Sequence, residues 1–195
     1  MKIKQNSIAR WIMKRILLLV FLAVVVTTAC TPKVWLDQRD FKPTVKEYAV
    51  FKNKDLLVTI YNSASRYYYS DTLRVRYTSF PSLNTYLLAA YQDIFMRAGF
   101  IVYQAKPSAR IVPELRISIS WISDETMIAE AFMSYDEGIR FKKEYTIKMP
   151  ASKETDTQQE LQQKAYRMIA ESANAILDDP AFQEAYRMMA KTEGL

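Results

Sequence analysis

The stretch "ELRISISWISDETMIAEAFMSYDEGIRFKKEYTIKMP", residues 114–150, decides the fold. Leu115, Ile117, Ile119 and Trp121 alternate with Arg116, Ser118 and Ser120, the period-two pattern of a half-buried strand. Ser123-Asp124-Glu125 reads as a turn, "MIAEAFMSY" as the next strand, and Asp136-Glu137-Gly138 as a second turn. The last run points Ile139, Phe141, Tyr145, Ile147 and Met149 inward, with Lys143 as the exception. Short polar turns joining three alternating runs predict an antiparallel meander.

Downstream, the polar link "PASKETDTQQ" leads into a helix expected over 156–177. Leu161, Ala165, Met168, Ile169, Ser172, Ala173, Ile176 and Leu177 form its inward stripe at three-four spacing. Asp179-Pro180 marks a restart, with Asp as N-cap and Pro at the first helical position. A terminal helix over 180–191 turns Phe182, Ala185, Tyr186 and Met189 to one side. Met188 and Met189, with Met168, read as core packing or as an adaptable docking patch.

Upstream, Pro81-Ser82 opens a helix over 82–98 with Leu83, Tyr86, Leu87, Ala90, Tyr91, Ile94 and Phe95 on one stripe. Gly99 stands where a C-terminal cap belongs, and "FIVYQ" resumes as a strand. Strands are expected near 56–62 and 72–79. Between them, "SRYYYS" places Tyr67, Tyr68 and Tyr69 as a candidate partner contact, with strand-end packing as the plainer alternative. Residues 30–55 read as an attachment point and tether, a flexible stretch spanning roughly 25 Å, in which "VKEYAVF" is a candidate first strand. Trp35 and Phe41 suit either the membrane interface or docking onto the domain. A single domain over 56–195 follows. Its expected class is α+β: a two-layer sandwich with a mostly antiparallel sheet and helices packed on one face.

Composition excludes several chemistries. The chain has three glycines and no Gly-rich loop, so no phosphate cradle of the P-loop or dinucleotide type. It has no histidine and one cysteine. Zinc sites of the Cys/His kind and Ser-His-Asp or Cys-His catalysis are thereby ruled out. The acidic pairs Asp124-Glu125 and Asp136-Glu137 could serve a carboxylate hydrolase, but both lie in turns, where Asp and Glu are common. No catalytic residue, metal ligand or cofactor is expected.

The N-terminus carries five cations (Lys2, Lys4, Arg10, Lys14, Arg15) and no acid, then eleven unbroken apolar residues, Ile16–Val26. That is a secretory signal over residues 1–29, too short for a span of roughly 20 apolar residues. Met13, before Lys14-Arg15, would also start a compact signal. Removing the five cations from 27 leaves 22 basic side chains against 21 acidic, a net charge of +1. The basic pI belongs largely to the signal, so no nucleic-acid partner is expected.

Thr28, Ala29 and Cys30 follow the apolar run and resemble the lipobox of bacterial lipoproteins, although the family's usual Leu three residues before the Cys is here Thr27. The resemblance implies cleavage after Ala29, and three acyl chains, palmitate-like, on and around Cys30. Several chains hold a protein on a membrane far more firmly than one. Thr31 stands where Asp would imply retention at the inner membrane, so the periplasmic side of the outer membrane is favoured. The other readings are a plain signal peptide cut after Ala29 with an unpaired Cys30 thiol, and an uncleaved N-terminal anchor. The "ELRISIS" strand, the meander ending "KKEYTIKM" and "IAESANAILDDPAFQEAYRMMAK" look like the small YajG-type bacterial lipoproteins, as does "LRVRYTSF…YLLAAYQDIFMRAGFIVYQ". That resemblance implies an envelope location and no catalytic residues. The expected function is a lipid-anchored, non-enzymatic component of an envelope assembly that binds another envelope protein. The alternative is a lipid- or glycan-handling accessory of envelope transport or lipopolysaccharide assembly.

Overall fold

The computed structural model describes residues 33–62, 68–69, 75–108, 111–123 and 125–192, and the folded unit begins at Lys33. In chain order its elements are β1 (Lys33–Trp35), a 3-10 turn (Ala49–Phe51), β2 (Lys54–Asn62), β3 (Tyr68–Tyr69), β4 (Arg76–Thr78), α1 (Leu83–Arg97), β5 (Phe100–Tyr103), β6 (Glu114–Ile122), β7 (Thr126–Tyr135), β8 (Gly138–Lys148), α2 (Gln158–Leu177) and α3 (Pro180–Thr192). The class is α+β, with the helices against one face of a five-stranded sheet ordered β5-β2-β6-β7-β8. A small second sheet runs β1-β4-β3.

The meander forms as expected from β6 to β8, antiparallel throughout. The sheet as a whole is mixed, however, because β2 runs parallel to both β5 and β6. Residues 104–113 carry the chain from β5 past β2 to the far side. Leu56, Leu57 and Val58 are all buried, so β2 is covered on both faces at this point, although Tyr61 further along its outer face is exposed.

Each helix follows from its ends and its stripe. Ser82 caps α1 by accepting from the Thr85 N–H at 3.1 Å. Thr157 and Glu160 form a reciprocal capping box at the start of α2. All seven expected α1 stripe residues and all eight of α2 are buried. Gly99 ends α1 at φ +114, a conformation that L side chains rarely adopt. Its carbonyl accepts from the Asn53 N–H at 2.9 Å, clamping the helix end to the approach of β2.

The stretch expected as a tether is folded from Lys33 onward. Val34, Leu36, Phe41, Tyr48 and Phe51 are all buried. Burying each such side chain is worth about 1.5–3 kcal/mol, a driving force that a solvated linker would lack. "AVF" forms a 3-10 turn, not a strand, so that Phe51 stacks on Phe100 at 4.4 Å and meets Phe182 and Tyr186 at 5.6 Å. Helix α2 also holds this N-terminal segment. Tyr166 in α2 accepts from the Asp37 N–H and donates to the Asp37 carbonyl, at 2.9 and 3.0 Å, and Gln162 donates to the Trp35 carbonyl at 2.8 Å.

Two bulges re-aim the meander. The β6–β7 register slips between Ile119 and Trp121, so Ile122 takes the inward place and Trp121 faces out, 50% exposed. A second slip, opposite Met133 and Ser134, sets Ile139 on the surface while Phe141 and Tyr145 stay inside.

Candidate functional site

Helices cover one face of the large sheet, and the other face carries the strands' alternate residues. Across it, Thr59 on β2, Arg116 on β6, Phe132 on β7 and Lys142 on β8 lie in register. The next row holds Tyr61, Ser118, Glu130 and Glu144. Beyond the β6 bulge, Trp121 stands opposite Ile128. Lys142 ties the rows together, 3.0 Å from the Glu130 carboxylate and 4.7 Å above the Phe132 ring. This surface interleaves aromatic rings with charges of both signs. Tyr61 is 61% exposed. Trp, Tyr and Arg are the residue types that dominate protein contacts. Sequence reasoning missed the patch, although a signal was there: Tyr61 and Phe132 occupy the polar phase of their strands.

A second exposed pair stands at the end of the small sheet, Trp35 on β1 and Phe80 just past β4. Trp35 and Phe80 border a groove of about 400 Å³ whose wall includes Leu36, Thr85 and Ala89. Beside it Tyr86 is buried, and its hydroxyl has no partner among the described residues. Burial pushes that phenol well above its usual range, helped by Tyr166 and Asp37 nearby. Arg39 forks onto Asp37, with a shortest contact of 2.6 Å, and holds its carboxyl down to about 2.

The α2–α3 corner is a structural site. Asp179 is buried and caps α3, accepting from the Ala181 N–H at 2.8 Å. It also accepts from the Tyr145 hydroxyl and from Lys143, both at 2.7 Å. Burial alone would raise this carboxyl; the bonds from Lys143, Tyr145 and Ala181 outweigh it and lower it. Lys143, the inward exception of β8, thus has its reason. The neighbouring Asp178 accepts from Tyr48 at 2.7 Å, so two consecutive acids fasten two distant tyrosines.

Of the residues expected to matter, Ala29 and Cys30 lie outside the described residues, as do the signal, Tyr67 and Asp124. Tyr68 and Tyr69 form β3 on the small sheet, paired with Tyr77 and Arg76. Asp136 and Glu137 make the β7–β8 turn at φ 46 and 62, a hairpin geometry. Met168 and Met189 are core, and Met188 is exposed. Among the described residues no group of three or more His, Cys, Asp or Glu is placed to hold a metal ion, and no helix is long and apolar enough to cross a membrane.

No family model and no curated protein matches the chain. Among solved structures, one titled only as an uncharacterized protein aligns at a TM-score of 0.45 and 11% identity, covering 75% of this chain and 97% of that one. A protein of Xanthomonas campestris, described by the family model DUF330, aligns at a TM-score of 0.55 and 11% identity, with the same coverage of 75% and 97%. The chain is therefore similar in fold to a bacterial DUF330 protein, over nearly the whole of that protein's length.

Proposed function

We propose that the protein is a lipid-anchored component of a bacterial cell envelope, related in kind to the small YajG-type lipoproteins, that binds another envelope protein and catalyses no reaction. The lipid on Cys30 confines the domain to the periplasmic face of a membrane, with the outer membrane favoured by Thr31. Confinement raises its effective concentration near partners on that surface. The observation that carries the contact is the helix-free face of the large sheet, with Tyr61, Trp121 and Phe132 set among Arg116, Glu130 and Lys142. A part in envelope transport or lipopolysaccharide assembly fits this surface as a protein contact. A lipid or glycan carrier would need an apolar pocket between helices and sheet. Ile117, Ile119, Met168 and Ile169 fill that layer here, all fully buried.

The test is photo-crosslinking in the native cell from position 121, with the exposed Glu184 of α3 as the control position. A discrete adduct with one envelope protein from 121 alone is expected. The same background from both positions refutes the contact face. A native protein recovered soluble from the periplasm with a titratable Cys30 thiol refutes the anchor.

A further inference from the structure

We infer that Trp35 and Phe80 seat the domain on the bilayer, placing two aromatic rings in the headgroup layer beside the anchor. The inference rests on the reading of Cys30 as lipidated. Only Thr31 and Pro32 separate Cys30 from the folded unit at Lys33. The five residue steps from Cys30 to Trp35 reach at most about 18 Å when fully extended. A sulfur held at the membrane surface therefore keeps Trp35 within that distance of it. No such leash would exist had the tether run to residue 55.

The rings suit that place. Trp35 is 52% exposed and Phe80 87%, and both border the same groove. The strand that presents Trp35 is fixed: β1 pairs with β4 in register, Trp35 opposite Thr78, and Gln162 holds the Trp35 carbonyl. Phe80 stands two residues before the Ser82 cap of α1, so its position is fixed too. Indole combines an apolar body with one polar N–H, the chemistry that places Trp at membrane–water interfaces. A tethered domain without such a seat tumbles above the membrane. With it, the domain holds one tilt and shows the helix-free sheet face at a fixed height.

Trp35 can be read alone. The full-length protein with Trp11→Phe and Trp121→Phe, expressed and isolated from membranes, retains Trp35 as its one indole. It is placed in vesicles of phosphatidylethanolamine and phosphatidylglycerol, with and without bromine on the acyl chains. Brominated lipid is expected to cut Trp35 emission by about half or more, as for an interfacial indole. Unchanged emission overturns the seat. The mass of the mature N-terminus in the same sample separates the two readings. A lipid on Cys30 with unchanged emission refutes the seat and leaves the anchor. A free thiol with quenched Trp35 refutes the anchor and leaves the seat. Phe80→Ser, at a side chain the fold hardly touches, should at least halve the quenching; no change there overturns the two-ring seat.

Discussion

Asp179→Ala is the sharpest test of how the C-terminal helices lock onto the sheet. The carboxylate, with its side chain 4% exposed, holds the Tyr145 hydroxyl, Lys143 and the Ala181 N–H. Losing the cap costs about 1 kcal/mol. Losing the charge-assisted bond to the Tyr145 hydroxyl adds about 1.5–3 kcal/mol, since that partner is left buried. Lys143 is half-exposed and can return to water, so its pair adds at most about 1 kcal/mol. The expected loss is about 3–4 kcal/mol, or roughly 6–15 °C in Tm for a domain of this size. Asp179→Asn keeps an acceptor for the cap and should lose less, about 1–2 kcal/mol. The pH dependence has a fixed sign. The folded carboxyl sits below its unfolded value, so the unfolded chain binds more protons in acid. The stabilisation is present above about pH 4 and is lost as pH falls through the folded value. Urea unfolding followed by circular dichroism at pH 7, 5 and 3 measures this. A loss below about 1 kcal/mol at pH 7, or a gap between wild type and Asp179→Ala that does not narrow at pH 3, refutes the reasoning.

Gly99→Ala should cost about 1–3 kcal/mol in the same assay, because a Cβ there would stand 3.3 Å from the Lys52 Cα at φ +114. Glu137→Gly should stabilise by about 0.5–1 kcal/mol, since Glu137 holds φ 62 in the hairpin turn; a destabilised variant would refute that reading. Tyr86→Phe should be neutral or stabilising by up to about 1 kcal/mol, because it deletes a buried hydroxyl with no partner among the described residues; a loss beyond about 1 kcal/mol would reveal a bond that the hydroxyl makes.

The helices were legible because their stripes repeat at the helical period and two of their starts are marked locally, by Pro81-Ser82 and Asp179-Pro180; the Thr157 cap of α2 was passed over. The meander was legible for the same reason, up to its bulges. A bulge adds one residue to a strand, so the side chains on its two sides fall out of phase, and nothing around Ser120 or Arg140 signals one. So Trp121 and Ile139, placed inward by alternation, lie outside. The N-terminal segment was misread because Val34, Leu36, Phe41, Tyr48 and Phe51 follow no period; they pack as single wedges against partners far along the chain. The parallel pairing of β2 left a trace in Leu56-Leu57-Val58, an apolar run without alternation. The outer sheet patch exists only once register aligns four strands, which no single stretch encodes.

Lys33, Trp35, Asp37, Thr44, Tyr48 and Asp55 make hydrogen bonds to residues 125–131 positions downstream. Closing a loop of that length costs about 4 kcal/mol of chain entropy plus a constant. A chain made from its first residue onward would hold its opening strand idle until roughly the final fifth arrives. Any product cut short before Gln158 lacks the surfaces that shelter Val34, Phe41 and Tyr48. Such fragments would show oily, unclosed ends to proteases, while the finished chain shuts in one late, cooperative step.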